Sequence, residues 1–454
     1  MDFAVIQMMR SPWFIIADDF TGSGDSAVQF RSEGSPARLA IKPEVAAPQA
    51  SLSSAIVVNT DTRYLSPQKS YDSVRIMAEF LAHSGARHFF KKIDSTMRGH
   101  IEDEVAAVMD GAGFSRALVC PAAPRNGRTV VDGLCLVDGK PIDSPASARD
   151  PFTPVSRAKV SAHFERRFSG HIADLPLSTV RKGASELLKA IDEAPGFIRL
   201  FTVDAATLSD LAIIASVVDA QGLLLAGSSG LAEAVARREN SFKTGSGGHS
   251  GVVRLLLGRI AFFVGSVTST SSAQCARLAE SDNVLRLVVN GRAAANDPEA
   301  EMGRMLDLLR QSPAGKALLI HTDSIEPGTS DEGIKAMGSL ISQFLGNLAL
   351  ATSHERNLGF LFAMGGDTAA RVAAALGADY IDFTDELLPG LPYGYFESNT
   401  LGRRLYFASK SGGFGSADAL LEVLARVATK RSLSHESLFH SVPLPRHLWG
   451  GFDD

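Results

Sequence analysis

The sequence is poor in the residues that build disulfide frameworks and metal centres. Its 454 residues include only three cysteines, Cys120, Cys135 and Cys275, and their spacing matches neither a zinc site nor a disulfide framework. We interpret each as a small apolar core residue, and the odd count fits a reducing compartment. The eleven histidines form no HExxH motif and no paired metal spacing, and no GxSxG elbow is present. Zinc-peptidase and serine-hydrolase chemistry are therefore not supported.

Long apolar runs and an excess of positive charge are also missing. The stretch VVRLLLGRIAFFVG is interrupted by Arg254 and Arg259, so no segment predicts a membrane span. A formal net charge of −5 argues against a general nucleic-acid or membrane-surface binder. The start, MDFAVIQMMRSP, lacks a basic region followed by a cleavage site, so a signal peptide is not expected. These absences favour a cytoplasmic protein whose partners are small molecules, and they are compatible with a homo-oligomer.

What the sequence does contain is an alternation of short strand patterns with longer helical patterns. Runs such as WFIIADD, HFFKKIDS and LGFLFAMGGDT are typical of parallel strands covered by helices on both faces. The polar, glycine-rich stretch RRENSFKTGSGGHSG has no periodicity and indicates a linker. We therefore predict an α/β protein with two α/β domains, mainly parallel sheets and an inter-domain active-site cleft. The predicted boundaries are residues 1–238, a linker at 239–257 and residues 258–454, with a polar tail after about residue 430.

The stretch FIIADDFTGSGDSAVQF brings two adjacent carboxylates, Asp18 and Asp19, to the end of the first strand. Gly22 and Gly24 predict a tight turn that precedes a helix beginning near Asp25. Helix capping would explain an aspartate at the helix start. It would not explain two adjacent acids, which repel each other unless a cation or a hydroxyl-rich ligand compensates them. We therefore interpret the pair as functional.

A second polar loop, KKIDSTMRGH, follows another strand and leads to a helix predicted to begin at Ile101. Arg98 can bind a carboxylate through two parallel hydrogen bonds, and Lys92 can supply a point charge. An intramolecular lysine–aspartate pair with a serine or threonine cap would explain the same residues. The segment alone leaves both interpretations open.

Glycine-rich loops in the second half of the chain favour a phosphate-bearing ligand. MGGDTAA places two glycines after a strand and Asp-Thr at the next helix start, and SKSGGFG and the hydroxyl-rich GSVTSTSS add further polar loops. Backbone N–H groups in such loops can bind a phosphate chain. No GxxxxGK[ST] pattern exists, so a Walker-type P-loop is excluded.

Six ordered motifs carry a resemblance to a known family. IADDFTG, KKIDSTMRG, CPAAPRNGRTVVDG, GSSGLAEA, GGDTA and KSGGFG are similar, in this order, to those of the four-carbon acid sugar kinases, which act on 3-oxotetronate, D-threonate and D-erythronate. The resemblance covers almost the whole chain. It implies an N-terminal sugar-acid-binding domain and a C-terminal nucleotide-binding domain, with ATP phosphorylating the terminal hydroxyl.

The resemblance also implies roles for individual residues. It places beside the sugar acid Asp18, Asp19, Thr21, Lys92, Asp94, Ser95 and Arg98. It places beside ATP Ser266, Gly365, Gly366, Asp367, Thr368, Gly412 and Gly413. The base or orienting carboxylate is then Asp18 or Asp19, with Asp94 as the next candidate. Mg²⁺ is expected beside ATP, with Asp367 or waters alone as its ligands.

The chain departs from the family pattern in two places. It has GSVTSTSSAQ where the family often has GSCSPVTAAQ, and GLPYGYF at residues 390–396 where GVPLG is frequent. The departures concern the nucleotide contacts and the inter-domain cleft.

Two other functions remain as alternatives. An NAD-dependent dehydrogenase of sugar acids would require a full glycine fingerprint, but Ala27 stands at the position of the third glycine. A non-catalytic sugar-acid-binding protein would tolerate loss of the acids or the glycine loops, and all of them are present.

Overall fold

The computed structural model describes residues 12–31, 37–42, 44, 46, 53–144, 155–241, 259–323 and 331–432. Strands and helices alternate along these residues. The strands are β1 (Trp13–Ala17), β2 (Ala37–Ala40), β3 (Ala55–Asn59), β4 (His88–Lys92), β5 (Arg116–Cys120), β6 (Arg128–Val131), β7 (Leu134–Val137), β8 (Lys140–Pro141), β9 (Ile172–Leu175), β10 (Leu200–Val203), β11 (Leu223–Gly227), β12 (Arg259–Val264), β13 (Val284–Val289), β14 (Ala317–Thr322), β15 (Leu358–Met364), β16 (Tyr380–Leu388), β17 (Leu391–Ser398) and β18 (Arg403–Lys410). The α-helices are Phe20–Phe30, Pro67–His83, Ile101–Ala112, Glu165–Phe168, Leu177–Val180, Ala184–Asp192, Leu208–Ala215, Ser229–Ser241, Ser269–Ala279, Gly291–Asn296, Pro298–Gln311, Asp331–Glu355, Gly366–Ala375 and Ala419–Ser432.

Fifteen of the described strands form one sheet, in the order β13-β14-β12-β15-β18-β17-β16-β2-β3-β1-β4-β11-β5-β10-β9. Neighbours run parallel except where β16 pairs with β2 and β17, and where β17 pairs with β18. Strands β6, β7 and β8 form a small separate antiparallel sheet. The predicted α/β class with mainly parallel strands is confirmed. Most of the predicted linker and the polar tail lie outside the described residues.

The large sheet runs without interruption through both halves of the chain, which the sequence did not predict. The junction is the antiparallel pairing of β2 with β16, in which Ala37 lies opposite Phe383. The Arg38 guanidinium donates to the Asp382 carboxylate across this junction at 2.6 Å. The two halves are therefore joined by backbone hydrogen bonds as well as by side chains.

The hydrophobic core is also continuous across the junction. All residues of β1 and β15 are buried, as expected for strands with helices on both faces. Phe20 packs edge-on against Phe407, with ring centroids 6.2 Å apart, and both belong to one core cluster. The three cysteines are buried and free, which agrees with their interpretation as core residues. Within the described residues, no helix combines the length and apolarity needed to cross a bilayer.

The predicted start of the first helix is wrong. The helix begins at Phe20 rather than near Asp25, so Gly22 and Gly24 lie inside it, and neither has a positive φ. Their function is close packing rather than turn formation. A Cβ at Gly22 would lie 2.5 Å from the Asp19 carboxylate, and one at Gly24 would lie 3.1 Å from the Phe383 ring of the other half.

Candidate active site

The first group of candidate residues follows three neighbouring parallel strands. In the order β3-β1-β4, the polar residues after each strand meet because the carboxyl ends of parallel strands share one end of the sheet. Asp18 and Asp19 follow β1, Asp94 follows β4, and Arg63 lies in the loop after β3. The structure therefore brings together loops that are up to about 75 residues apart in the chain.

Arg63 is the cation that compensates the adjacent acids. Its Nε donates to Asp18 Oδ2 at 2.7 Å and its Nη2 to Asp18 Oδ1 at 3.0 Å. The same Nη2 donates to Asp19 Oδ1 at 2.8 Å and lies 3.9 Å from Asp94 Oδ1. One guanidinium, 8% exposed, thus lies among three carboxylates, and its planar set of donors suits this arrangement.

Burial and charge act against each other on Asp18. Burial raises the pKa of Asp18, but the charges of Arg63, Lys91 and Lys92 outweigh it, so this pKa lies below its ordinary value. The pKa of Arg63 lies well above its ordinary value: burial lowers it, and the surrounding carboxylates overcome that effect. Both groups are therefore charged at neutral pH.

Asp19 is the more accessible of the two acids. Its side chain is 17% exposed, compared with 4% for Asp18. Arg63 binds one oxygen of Asp19, and Thr21 Oγ1 donates to the other at 2.6 Å. The carboxylate is thus held in one orientation while part of it faces the cleft.

Asp25 lies further along the same helix, in the neighbourhood of Lys92 and Glu386. Burial raises the pKa of Asp25 to about 7. The charge of Lys92 opposes this effect, and the charges of Asp19 and Glu386 add to it. Asp25, which is half-buried, was not a predicted site residue, since capping explained it.

Asp94 and Arg98 form an ion pair with each other. Arg98 Nε and Nη2 donate to the two Asp94 oxygens at 3.0 and 2.8 Å, and the Thr96 backbone N–H also donates to Asp94 at 3.0 Å. Burial raises the pKa of Asp94, but Arg98 and Arg63 outweigh it and hold this pKa well below its usual range. Asp94 thus pairs with Arg98 and not with a lysine as the intramolecular alternative supposed, while Lys92 Nζ donates to the Ile93 carbonyl at 3.0 Å.

A second set of buried charged residues, Lys91 and Glu104, lies next to these carboxylates. Lys91, fully buried, lies 2.7 Å from Glu104 Oε2, and Thr62 Oγ1 donates to Glu104 Oε1 at 2.6 Å. Sequence reasoning missed Arg63, Lys91 and Glu104. For Arg63 a signal existed, because two adjacent acids require a cation and a single arginine stands in the next polar loop, NTDTRY.

The second group of candidate residues follows β12, β15 and β18, which are also neighbours in the sheet. Ser271 Oγ donates to Ser266 Oγ at 2.6 Å and to the Gly412 carbonyl at 3.1 Å. A Cβ at Gly412 would overlap Ser266 Oγ. Gly365, with φ of +107°, precedes the helix Gly366–Ala375. The structure thus brings the three predicted glycine and serine loops together.

These loops expose backbone donors at a helix N-terminus. The first turn of the helix Gly366–Ala375 includes Asp367 and Thr368, and N–H groups of a first turn are suited to bind anions. Lys410, which sequence reasoning did not select, braces the neighbouring loop. Its Nζ donates to the Ser411 and Phe414 carbonyls at 2.9 and 2.8 Å, and burial lowers the pKa of Lys410 to about 8.

The two groups of loops lie close to each other, because the helices that follow them, Phe20–Phe30 and Gly366–Ala375, are in contact. Partial desolvation raises the pKa of Asp367, although its side chain is exposed; the charge of Arg371 opposes this, the charge of Asp19 from the first half adds to it, and Arg63 opposes it. Partial desolvation likewise raises the pKa of the exposed Asp61, to which the charge of Asp367 adds. Carboxylates of both halves are therefore within electrostatic reach of each other.

Asp367 is the carboxylate beside the glycine loops that could bind a divalent cation. Within the described residues, no group of three or more histidine, cysteine, aspartate or glutamate side chains has a metal-binding arrangement. Mg²⁺ is commonly held by one or two carboxylates together with waters and substrate phosphates. The charge of Asp367 raises the pKa of Asp61, and these two carboxylates fit that mode of binding.

Family models match both halves of the chain. A model described as a sugar-binding N-terminal domain matches residues 13–235, and one described as a nucleotide-binding C-terminal domain matches residues 261–420. A D-threonate kinase of Cupriavidus necator is 33% identical over 93% of this chain and 99% of its own length. A D-erythronate kinase of Heliobacterium modesticaldum is 27% identical over 92% of this chain and 97% of its own. A 3-oxo-tetronate kinase of Burkholderia multivorans is 28% identical over 89% and 94%.

Two solved structures resemble the fold. One, from Salmonella typhimurium LT2, has a TM-score of 0.72 at 22% identity and covers 90% of this chain and 98% of its own. The other, from Haemophilus influenzae, has a TM-score of 0.67 at 21% identity and covers 91% and 99%. At these identities the likeness shows the fold alone.

Proposed function

The chain belongs to the four-carbon acid sugar kinases, and from that premise we propose that it transfers the γ-phosphoryl group of ATP to the terminal hydroxyl of threonate, erythronate or 3-oxotetronate. The product is the 4-phosphate. The observation that carries the proposal is the proximity of the Arg63-bound carboxylates to the glycine loops: the helices Phe20–Phe30 and Gly366–Ala375 are in contact, and the charge of Asp19 acts on Asp367. A phosphoryl donor on one side can thus meet a hydroxyl acceptor on the other.

Asp19 is our candidate for the carboxylate that receives the acceptor hydroxyl. Arg63 and Thr21 fix its two oxygens, and it remains partly exposed to the cleft. As the acceptor oxygen bonds to the γ-phosphorus and the bond to ADP breaks, the hydroxyl proton passes to the Asp19 carboxylate. Catalysis of this kind depends mostly on positioning and charge stabilisation, so the fixed orientation of the carboxylate is its main contribution.

The other two acids are better suited to positioning. Arg63 binds both Asp18 oxygens and Arg98 binds both Asp94 oxygens, and both carboxylates have lowered pKa values. We propose that Asp18 orients Arg63 and that Asp94 orients Arg98 toward the sugar acid. Lys92 and Ser95 complete this side of the cleft.

The opposite side is suited to the nucleotide. Backbone N–H groups of Gly366, Asp367 and the Gly412–Gly413 loop would bind the phosphate chain, with the Ser266 hydroxyl beside them. Asp367, together with Asp61 and waters, would hold Mg²⁺. When bound, Mg²⁺ would neutralise charge on the phosphates.

The test is ADP release from ATP with a panel of four-carbon sugar acids, together with product identification by phosphorus NMR. We expect turnover with at least one acid, and turnover lower by about 10²–10⁴-fold in Asp19→Asn at matched concentration. Binding of an acid without ADP release would favour the non-catalytic alternative, and reduction of added NAD⁺ would favour the dehydrogenase. The structure gives the dehydrogenase no support, because Gly22 and Gly24 lie inside the first helix and not in the turn ahead of it.

A further inference from the structure

The motif CPAAPRNGRTVVDG contains β6, the first strand of the small sheet β6–β8, and the proposed mechanism leaves this motif without a role. We propose that Arg128, the first residue of β6, binds the carboxylate of the sugar acid and so determines the preference for acids over neutral sugars. The proposal rests on the proposed function.

One face of the small sheet is turned toward the loop after β4. Val130 lies opposite Cys135, and Arg128 opposite Val137. Side chains directly opposite each other in an antiparallel pair share a face, as do alternate residues of one strand. Arg128, Val130 and Cys135 therefore share a face. The Cys135 Sγ donates to the Ser95 carbonyl at 3.4 Å, so this face is the one turned toward Ser95.

Electrostatics also place Arg128 near the sugar-acid residues. Burial raises the pKa of the Cys135 thiol to about 12; the charge of Asp94 adds to this effect and the charge of Arg128 opposes it. The thiol is thus within reach of both groups. Arg128 lies on the same side of the molecule as the Asp94–Arg98 pair.

The cations of the first group of loops already bind protein groups. Arg63 is bound by Asp18 and Asp19, and Lys92 Nζ donates to the Ile93 carbonyl. Arg98 pairs with Asp94, which offsets its charge, so a further cation would strengthen the binding of the acid's carboxylate. Arg128 Nη1 donates to the Asn126 carbonyl, and among the described residues no carboxylate lies within ion-pair distance of it. A half-buried guanidinium of this kind can bind a carboxylate through two parallel hydrogen bonds.

The small sheet is fixed to the rest of the fold, so the backbone that carries Arg128 is held in place before a ligand binds. The Asp204 carboxylate accepts hydrogen bonds from the Asp132 and Gly133 backbone N–H groups, each at 2.9 Å. Val130 also bridges to Ala205, beyond the carboxyl end of β10. A binding group held in this way loses little conformational entropy when the ligand arrives.

Arg128→Met tests the assignment, and Arg125→Met is the matched control. Arg125 stands three residues earlier in the same motif, is 54% exposed and pairs with Glu233 at 3.2 Å. We expect Arg128→Met to raise the KM for the sugar acid roughly 10- to 100-fold, as loss of a charge-assisted pair should. The KM for ATP should stay within about twofold. Arg128→Lys should recover part of the loss, because it restores the charge without the planar fork.

The ratio of kcat/KM for the acid to kcat/KM for the corresponding neutral tetritol provides a second readout. It should fall in Arg128→Met and stay at the wild-type value in Arg125→Met. Equal acid KM values in the two variants would overturn the proposal. Calorimetric titration of the acid without ATP reads Arg128 separately from catalysis. If wild-type protein binds the acid but releases no ADP, the proposed function fails, while the comparison of affinities still decides the role of Arg128.

Discussion

Removal of the Arg63 guanidinium should have a large and pH-dependent effect on stability. In Arg63→Met, Asp18 and Asp19 lose partners at 2.7 to 3.0 Å in a place where Asp18 is only 3% exposed. Breaking a buried ion pair by removing one partner typically costs about 3–5 kcal/mol, because the remaining charge is left uncompensated. We expect a loss in that range in urea unfolding at neutral pH. The control Arg157→Met removes an exposed pair with Glu165 at 3.3 Å and should cost less than about 1 kcal/mol.

The stability lost in Arg63→Met should depend on pH. The pKa of Asp18 in the folded protein lies below its ordinary value, so its pairing stabilises the wild type above the unfolded pKa, and this stabilisation is lost as pH falls through the folded pKa. In Arg63→Met burial is less opposed, so the pKa of Asp18 should rise. The difference between wild type and variant should therefore be largest near pH 7 and should shrink below about pH 4.

A second substitution distinguishes lost pairing from general damage. Arg63→Met/Asp18→Asn removes the uncompensated charge together with its partner, and we expect it to be more stable than Arg63→Met at pH 7. A loss below about 1 kcal/mol in the single variant, or no recovery in the double variant, would refute the role of Arg63 as the compensating cation.

Four further predictions concern single residues. Asp19→Asn should keep its unfolding midpoint and lose about 10²–10⁴-fold in turnover; near-normal turnover would remove Asp19 as the base. Arg98→Lys should raise the KM for the sugar acid but not for ATP, whereas an unchanged KM would limit Arg98 to pairing with Asp94. A Cβ at Gly366 meets no atom within 4 Å, so Gly366→Val should fold. Its side chain should block the approach of phosphate, so ATP binding measured by calorimetry should be lost; wild-type affinity for ATP would show that this loop does not bind the nucleotide. Because the pKa of Asp25 in the folded protein is raised to about 7, the free energy of unfolding should fall as pH rises from about 4 to 7. In urea unfolding, Asp25→Asn should abolish this fall. An unchanged pH profile in the variant would contradict the assignment to Asp25.

Much of the fold and part of the site could be predicted because the signals are local. The apolar runs of β1 and β15 end in polar residues, and a parallel sheet then brings those residues to one end. The start of the first helix could not be predicted in this way. Gly22 and Gly24 indicate a turn when only local conformation is considered. In the structure a Cβ at Gly22 would meet Asp19 and Lys92, and one at Gly24 would meet Phe383; Lys92 and Phe383 come from distant parts of the chain.

Arg63 and the pairing of β2 with β16 show the same limit. A single arginine in a polar loop has no motif of its own, and its importance appears only when three carboxylates surround it. The pairing of Ala37 with Phe383 joins strands that are more than 300 residues apart. No periodicity within either strand carries information about its partner.

The pairing of β2 with β16 also determines how the molecule can be divided. A cut anywhere between residues 241 and 259 would leave each fragment with a newly uncovered strand, β2 in one and β16 in the other. Uncovered strands of this kind recruit other chains, and the apolar surfaces around Phe20 and Phe407 would be uncovered with them. Separately produced fragments should therefore self-associate, while co-produced fragments should recombine with each other. The two segments at residues 13–235 and 261–420 should therefore unfold together in a single transition.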